Sequence, residues 1–155
     1  MGTRHFQKVI TKEGEVKVRQ YGQWDGYPSG QGVDILRYLR TGDLEKYQQE
    51  LSKLREITQE EVEVVNNDLN WETNYPYMSR DCGGRVHKMI EDGLVKFVAH
   101  CDDQEANKWC EGFYTIDFQN GVFVSEYHGR LVSYDIDKLP TDEDYIESFT
   151  NNDEE

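Results

Sequence analysis

A glycine-rich stretch at residues 21–32 joins a strand-like pattern to a helix-like pattern and sets the order of the elements around it. It contains Tyr-Gly-Gln-Trp-Asp-Gly-Tyr-Pro-Ser-Gly-Gln-Gly. Each glycine can adopt backbone angles that other residues resist. Pro28 fixes its own φ and biases Tyr27 toward an extended conformation. We therefore expect a loop of defined conformation here, rather than a spacer.

The residues before this stretch predict a β-hairpin. Residues 5–10 are strand-like, Gly14 can form the turn, and residues 15–21 alternate apolar and polar side chains with a period of two. Helical periodicity follows the stretch, with apolar residues at three- and four-residue steps. The predicted helices cover residues 33–40, the stripe from Asp43 to Ile57, a capping box that starts at Thr58, and residues 80–91.

The C-terminal third predicts a β-meander over residues 93–136. Asn120-Gly121 between apolar runs is a strong hairpin signal, and His128-Gly129 predicts a second turn. The predicted strands are residues 94–100, 109–118, 122–127 and 130–136, with a loop at 101–108 between the first two. A last helix within residues 140–149 is predicted to be capped by Thr141.

This order of elements predicts an α+β fold. We expect one antiparallel sheet, built from the N-terminal hairpin and the C-terminal meander, with the helices packed on one face. Residues 1–150 are predicted to form one domain. Residues 151–155 are predicted to be a disordered acidic tail.

The net charge of −14 constrains the partners of the chain. It argues against unspecific nucleic-acid binding, which needs basic side chains to displace counterions, and against an anionic membrane surface. No apolar run reaches membrane-spanning length, and the N-terminus lacks the apolar core of a signal peptide. With three cysteines and no export signal, we expect reduced thiols and a cytoplasmic location.

The glycine-rich stretch is also the first candidate site. It can be a tight connection packed by aromatic rings, or an anion site at the junction of a strand and a helix. It matches neither a P-loop nor a dinucleotide-binding pattern. A pocket for a small molecule would combine Asp25 as base or hydroxyl acceptor with cationic and aromatic neighbours. The predicted ligand-binding residues are Arg4, Trp24, Asp25, Tyr27, Arg80 and Asp81.

The sequence predicts no cofactor, metal site or catalytic residue. Cys82, His87, His100, Cys101 and Cys110 lack the paired spacing of a zinc site. No signature supports a cysteine nucleophile with His87 or His128 as its base.

Acidic residues near the C-terminus are the second candidate site. Carboxylates along an exposed ridge can imitate a phosphate backbone and occupy a basic groove, although such a run is also typical of a solvated tail. The predicted partner-binding residues are Asp135, Asp137, Asp142, Glu143, Asp144 and Glu147.

Four motifs resemble a family of small proteins found in bacteriophages, prophages and some bacteria. They are Met-Gly-Thr-Arg at residues 1–4, the stretch at 21–32, Ser-Arg-Asp-Cys-Gly at 79–83 and Trp-Cys-Glu-Gly-Phe-Tyr-Thr-Ile-Asp at 109–117. The resemblance implies no activity. It implies that Thr3, Arg4, Trp24, Asp25, Gly26, Tyr27, Arg80 and Asp81 form one shared feature, and it does not include the acidic C-terminus.

Small acidic phage proteins are often inhibitors of host enzymes, including restriction and CRISPR nucleases. The resemblance and the charge together lead us to expect a non-enzymatic inhibitor, located in the host cytoplasm. Its expected partner is a host protein with a basic groove, such as a defence nuclease. The alternative is a protein that binds or hydrolyses a nucleotide signal at the glycine-rich loop.

Overall fold

Five strands form one mixed sheet in the computed structural model, which describes residues 2–99 and 101–150. The strands are β1 (His5–Ile10), β2 (Val16–Gly22), β3 (Gly112–Asp117), β4 (Val122–Tyr127) and β5 (Arg130–Asp135). Their order across the sheet is β2-β1-β3-β4-β5. The predicted α+β class is confirmed, with the hairpin and the meander joined in a single sheet.

One junction of the sheet differs from the antiparallel arrangement that we expected. Strands β1 and β3 are parallel, in register from His5 opposite Gly112 to Ile10 opposite Asp117. The helical segment between β2 and β3 leaves and re-enters the sheet at the same end, beside His5. A strand that starts at this end must run in the same direction as β1. All other neighbouring strands are antiparallel.

The helices are short, and three of them begin at the side-chain caps that the sequence predicted, Asp43, Thr58 and Thr141. Asp43 accepts a hydrogen bond from the Lys46 amide (3.1 Å), and Thr58 and Glu61 form a complete capping box. The helices are α1 (Val33–Thr41), α2 (Leu44–Leu51), α3 (Gln59–Asn66), α4 (Trp71–Asn74), α5 (Val86–Glu91), α6 (Asp103–Trp109) and α7 (Asp142–Glu147). Within residues 2–99 and 101–150, none is long and apolar enough to cross a membrane.

The segment before β3 differs most from the predictions. Residues 94–99 form no strand, and Val98 makes only an isolated bridge to Glu56. The predicted loop at 101–108 contains α6, because the Asp102 side chain accepts a hydrogen bond from the Gln104 amide (2.9 Å) and caps the helix. The meander therefore has three strands. The predicted acidic tail at 151–155 lies outside the described residues.

The core lies between the sheet and most of the helices. Period-two alternation places Val9, Val18, Ile116 and Phe123 on one face of the sheet, and all four are buried. Helix α7 contacts this face through Tyr145, whose ring stacks on Phe123 with centroids 5.9 Å apart. The predicted packing of helices on one face holds here.

Helix α6 is the exception, because it lies on the opposite face. Lys8 alternates with Gln7 and Val9 along β1, so its side chain leaves the sheet on the side away from the core. Its Nζ atom is 3.4 Å from the Asp103 carboxylate of α6. This short helix lies over the outer side of β1 and β3, whereas the outer residues of β5, Leu131, Ser133 and Asp135, are exposed.

Candidate functional site

The glycine-rich loop at residues 21–32 crosses one end of the sheet, between β2 and α1. Its centre is exposed: the side chain of Trp24 is 43% exposed and that of Tyr27 is 37% exposed. Pro28–Gly32 then forms one wide helical turn that continues into α1. Two aromatic rings and one carboxylate are therefore presented to solvent on a fixed backbone.

Backbone contacts bring three of the sequence motifs together at this loop. The Gly26 amide donates to the Thr3 carbonyl (2.9 Å), and the Gln23 amide donates to the Arg80 carbonyl (3.0 Å). The Tyr114 hydroxyl donates to the Gly26 carbonyl (2.6 Å). A Cβ at Gly26 would lie 2.8 Å from the carbonyl oxygens of both residue 3 and residue 4, so no side chain fits there.

The backbone of Asp25 is held in an unusual conformation. Its φ is +57°, a left-handed angle that few residues other than glycine adopt. Its carboxylate accepts a hydrogen bond from the Tyr27 hydroxyl (3.0 Å), and its carbonyl accepts one from the Gln31 amide (2.8 Å). The hydrogen bond to Asp25 raises the pKa of Tyr27. Asp25 therefore shapes the loop, and its carboxylate already has a partner.

The cationic side chains that we expected around Asp25 lie elsewhere. The Arg4 guanidinium lies over the Trp109 ring, 5.9 Å from its centroid. Arg80 is exposed and lines a small cavity of about 160 Å³ beside Cys101. Neither side chain forms an ion pair with Asp25 among the described residues.

Asp81 is likewise engaged through its backbone. Its amide donates to the Ser79 hydroxyl (3.0 Å), and its carbonyl accepts from Arg85 (2.8 Å). The structure thus brings Trp24, Asp25 and Tyr27 together. It joins Thr3, Arg4 and Arg80 to the loop region by main-chain contacts, without a convergence of their charged side chains.

A buried polar network beneath the helices was not predicted from the sequence. His87 of α5 lies between two partners: its Nε2 is 2.7 Å from the Gln7 amide oxygen and its Nδ1 is 2.8 Å from the Tyr47 hydroxyl. The Gln7 amide nitrogen in turn donates to Gln20 (2.8 Å) and to the Gly83 carbonyl (2.9 Å). The clue in the sequence was the alternation in β1, which places Gln7 on the same face as a core valine.

These contacts determine the protonation of His87. The Gln7 oxygen can only accept, so His87 Nε2 carries the proton and Nδ1 accepts from the Tyr47 hydroxyl. Burial lowers the pKa of His87 to about 3, from an ordinary value of 6.5. The ring is therefore neutral at physiological pH and serves packing rather than proton transfer.

His5 is a second buried histidine, directly below the loop. Its side chain is fully buried, and neither ring nitrogen has a hydrogen-bond partner among the described residues. A Cβ at Gly22 would lie 1.9 Å from its ring, so the imidazole packs directly against the backbone of the neighbouring strand. Burial lowers the pKa of His5 to about 4, and the charge of Asp25 opposes this shift.

Metal and thiol chemistry have no assembled site in the part of the chain that the structure describes. No group of three His, Cys, Asp or Glu side chains lies close enough there to hold a metal ion. Cys82 is buried, and burial raises the pKa of its thiol to about 11. It therefore has little thiolate character at neutral pH.

The second candidate site, which we call the acidic strip, runs from the end of β5 along α7. It consists of Asp135, Asp137, Asp142, Glu143, Asp144 and Glu147. Tyr145 fixes the helix, since its ring is buried and its hydroxyl donates to Ser125 (2.7 Å). The carboxylates on the remaining sides of α7 consequently face solvent.

Asp142 is the member of the strip whose charge is compensated. Its carboxylate lies 2.7 Å from Arg37 Nε and 2.6 Å from Arg40 Nη2, which connects α7 to α1. Burial alone would raise the pKa of Asp142, but hydrogen bonds from the two arginines outweigh burial and lower it. The other five members are exposed, and none forms a salt bridge within the described residues.

The comparisons with known proteins assign no family to this arrangement. No protein-family model, no curated protein and no solved structure matches the chain. The glycine-rich loop and the acidic strip are therefore the two surfaces that bear on function.

Proposed function

We propose that this chain is a non-enzymatic inhibitor that binds a basic groove of a nucleic-acid enzyme through the acidic strip. The enzyme would be a host defence nuclease, as the resemblance to phage proteins suggests, and the inhibitor would act in the host cytoplasm. The observation that carries the proposal is a set of five exposed carboxylates that form no salt bridge among the described residues. Glu143, Asp144 and Glu147 lie on α7, which its buried face holds in place, and Asp135 and Asp137 lie at and just after the end of β5.

Three features support this assignment. Carboxylates on a rigid helix keep their spacing, which a disordered acidic tail does not. Among the described residues, salt bridges neutralise only Asp142 of the strip, so the field of the other five carboxylates is directed outward, toward a partner of opposite charge. The excess of acidic residues over the whole chain, with a net charge of −14, attracts a basic partner and repels nucleic acid itself.

Neutralising the strip is expected to abolish partner binding. The variant combines Asp137→Asn, Glu143→Gln, Asp144→Asn and Glu147→Gln, each of which keeps side-chain size while removing charge. The matched control removes the same number of exposed charges elsewhere, through Glu13→Gln, Glu45→Gln, Glu63→Gln and Glu72→Gln. Because the attraction is screened by salt, the parent should lose affinity steeply as ionic strength rises.

The measurement is capture of nucleic-acid enzymes from a host lysate at low salt, followed by inhibition of the captured nuclease with each variant. Inhibition should disappear with the strip variant and persist with the control. Duplex DNA should displace the parent protein from the enzyme, because both would occupy the same groove. Retention of no nucleic-acid enzyme, or equal loss in both variants, would contradict the proposal.

The glycine-rich loop supports a second candidate, the binding of a small molecule such as a nucleotide. The favouring observation is Asp25, a non-glycine residue held at φ +57° between two exposed aromatic rings. Strained positions of this kind cluster at ligand sites. Aromatic rings could stack on a base, and the Asp25 carboxylate could accept from a ribose hydroxyl.

This second candidate predicts a ligand-induced thermal shift that depends on the loop. With a panel of mononucleotides and cyclic nucleotides, the parent should gain several degrees in Tm for one member of the panel. Asp25→Ala and Tyr27→Ala should each remove the shift, while Ser29→Ala in the same loop should retain it. A panel without any shift, or a shift that survives Asp25→Ala, would exclude the loop as a nucleotide site.

A further inference from the structure

Strand β5 forms one edge of the sheet, and the turn before it determines which backbone groups face outward. The turn has two residues, His128 with φ +49° and Gly129 with φ +81°. These angles are typical of a type I′ turn, which places Tyr127 and Arg130 in a hydrogen-bonded pair. The residues at even positions of β5 therefore bond to β4.

The same alternation of hydrogen-bonded residues reaches the far end of β5. The Ile136 amide donates to the Gly121 carbonyl (2.9 Å), which continues the pattern that starts at Arg130. Since successive residues of a strand direct their amides and carbonyls to opposite sides, Leu131, Ser133 and Asp135 direct theirs away from β4. These three residues present a row of donors and acceptors along the edge.

The two edges of the sheet differ in the hydrogen bonding of their outward backbone groups. At β2, the Arg19 carbonyl accepts from the Cys101 amide (3.0 Å), and the segment just after the strand is bonded to Arg80 (3.0 Å). At β5, no outward backbone group has a hydrogen-bond partner within residues 2–99 and 101–150. Within this part of the chain, the β2 edge has backbone partners and the β5 edge has none.

The exposed edge has no lysine, proline or bulge, and its charged residues, Arg130 and Asp135, lie at its two ends. Natural edge strands are commonly blocked by lysine, proline or a bulge. β5 contains Arg-Leu-Val-Ser-Tyr-Asp, pairs with β4 without a register shift, and its Arg130 side chain is bonded to the Ser148 carbonyl. Leu131 is 61% exposed on the outer face. An unprotected edge beside an exposed apolar residue is suited to pairing with another strand.

We propose that an extended, basic segment of a partner protein binds at the β5 edge as a sixth strand of the sheet. The inference rests on the proposed function for the sign of the partner's charge. The segment would exchange main-chain hydrogen bonds with Leu131, Ser133 and Asp135. Its alternate side chains would lie over Leu131 on one side and reach the carboxylates of Asp135 and Asp137 with lysine or arginine.

Charge decides between a partner segment and a second copy of the chain. Two copies paired edge to edge would bring together two molecules with a net charge of −14 each, and both edges would carry Asp135 and Asp137. Like charges at such an interface oppose association. A basic segment gains from the same carboxylates, so the field that disfavours a homodimer favours this occupant.

The test uses a labelled seven-residue peptide that alternates lysine with valine as the probe. It should bind the full chain with an affinity that falls with salt. On binding, amide exchange should slow at Leu131, Ser133 and Asp135, while the amides of Val132 and Tyr134, already bonded to β4, should change little. A peptide of the same sequence with every backbone nitrogen methylated should not bind, since it has no backbone donor on either edge.

Ser133→Pro removes an outward amide and should weaken peptide binding at least about tenfold. Proline is tolerated on an edge strand where the lost amide faces solvent, so the fold should be retained. Ser133→Ala keeps the amide and should bind like the parent. If Ser133→Pro fails to fold, Leu131→Lys replaces it, since a lysine on the edge repels a basic strand.

Three results would overturn the inference. They are absence of amide protection at millimolar peptide, equal binding by the parent and the edge variant, or self-association of the parent that Ser133→Pro removes. Inhibition of the captured nuclease by each variant distinguishes binding through the acidic strip from binding at the β5 edge. If the acidic-strip variant loses inhibition but Ser133→Pro retains it, the strip mediates binding and the edge does not. If both variants retain inhibition, the proposed function fails as well.

Discussion

His87→Leu is expected to lower the free energy of unfolding by about 4 kcal/mol, because it leaves two buried polar groups without partners. The Gln7 amide oxygen loses a donor at 2.7 Å, and the Tyr47 hydroxyl loses an acceptor at 2.8 Å. All three side chains are inaccessible to solvent or nearly so, and water cannot replace the lost bonds. Urea denaturation monitored by circular dichroism measures the change.

Two companion variants make this result specific to the hydrogen bonds. Met89→Leu, on the same helix, conserves volume and should cost less than about 1.5 kcal/mol. A double variant of His87→Leu with Gln7→Leu should be less destabilised than the sum of the two single variants, because the orphaned partner is also removed. A loss below about 1 kcal/mol for His87→Leu alone would show that the network contributes little to stability.

Acidification from pH 7 to pH 4.5 is expected to remove about 5 kcal/mol of stability through the two buried histidines. The pKa of His5 is lowered to about 4 and that of His87 to about 3, both by burial, from an ordinary value of 6.5. The unfolded chain therefore binds protons that the folded chain does not. Stability is complete above about pH 6.5 and falls as the pH decreases toward the folded-state values.

In this range of pH, the effect of the histidines on stability can be distinguished from that of the carboxylates. The pKa values of Glu61 and Asp142 are lowered by their arginine partners, so their stabilising effect is lost only as the pH falls below the ordinary range of carboxyl groups. Between pH 6.5 and pH 4.5, the decrease in the free energy of unfolding with falling pH should therefore come from His5 and His87. Urea midpoints at half-unit intervals of pH provide the measurement.

A matched pair of variants identifies the source of this decrease. His87→Gln should reduce the dependence on pH by roughly half, because one of two titrating groups is removed. His128→Gln replaces an exposed imidazole, keeps both buried rings and serves as the control. A parent whose urea midpoint is the same at pH 7 and pH 4.5 would show that both rings accept a proton without cost in the folded state.

Local signals in the sequence predicted much of the fold. The capping box at Thr58, the Asn120-Gly121 turn and the alternation in β2 each depend on neighbours within a few residues, and each is present in the structure. The predicted strand at residues 94–100 was wrong over its described part. Val95, Phe97 and Val98 are buried while Leu94 is exposed, and the segment pairs only through the isolated bridge from Val98 to Glu56.

The candidate site was predictable in its members but not in its geometry. Trp24, Asp25 and Tyr27 are adjacent in sequence, so their proximity follows from the chain itself. The directions of Arg4 and Arg80 depend on contacts made elsewhere, and Arg4 lies over Trp109, which is distant in sequence. The compensation of Asp142 by Arg37 and Arg40 likewise requires α1 and α7 to pack together.

By itself, the amino-acid sequence determined the α+β class, the hairpins, the helix caps and the net charge, because these depend on local periodicity, turn chemistry and composition. Only the tertiary structure decided the parallel pairing of β1 with β3, the buried network around His87, and the contrast between a covered β2 edge and an open β5 edge. Each of these joins residues far apart in the chain, and their pairing is set by how the whole core packs.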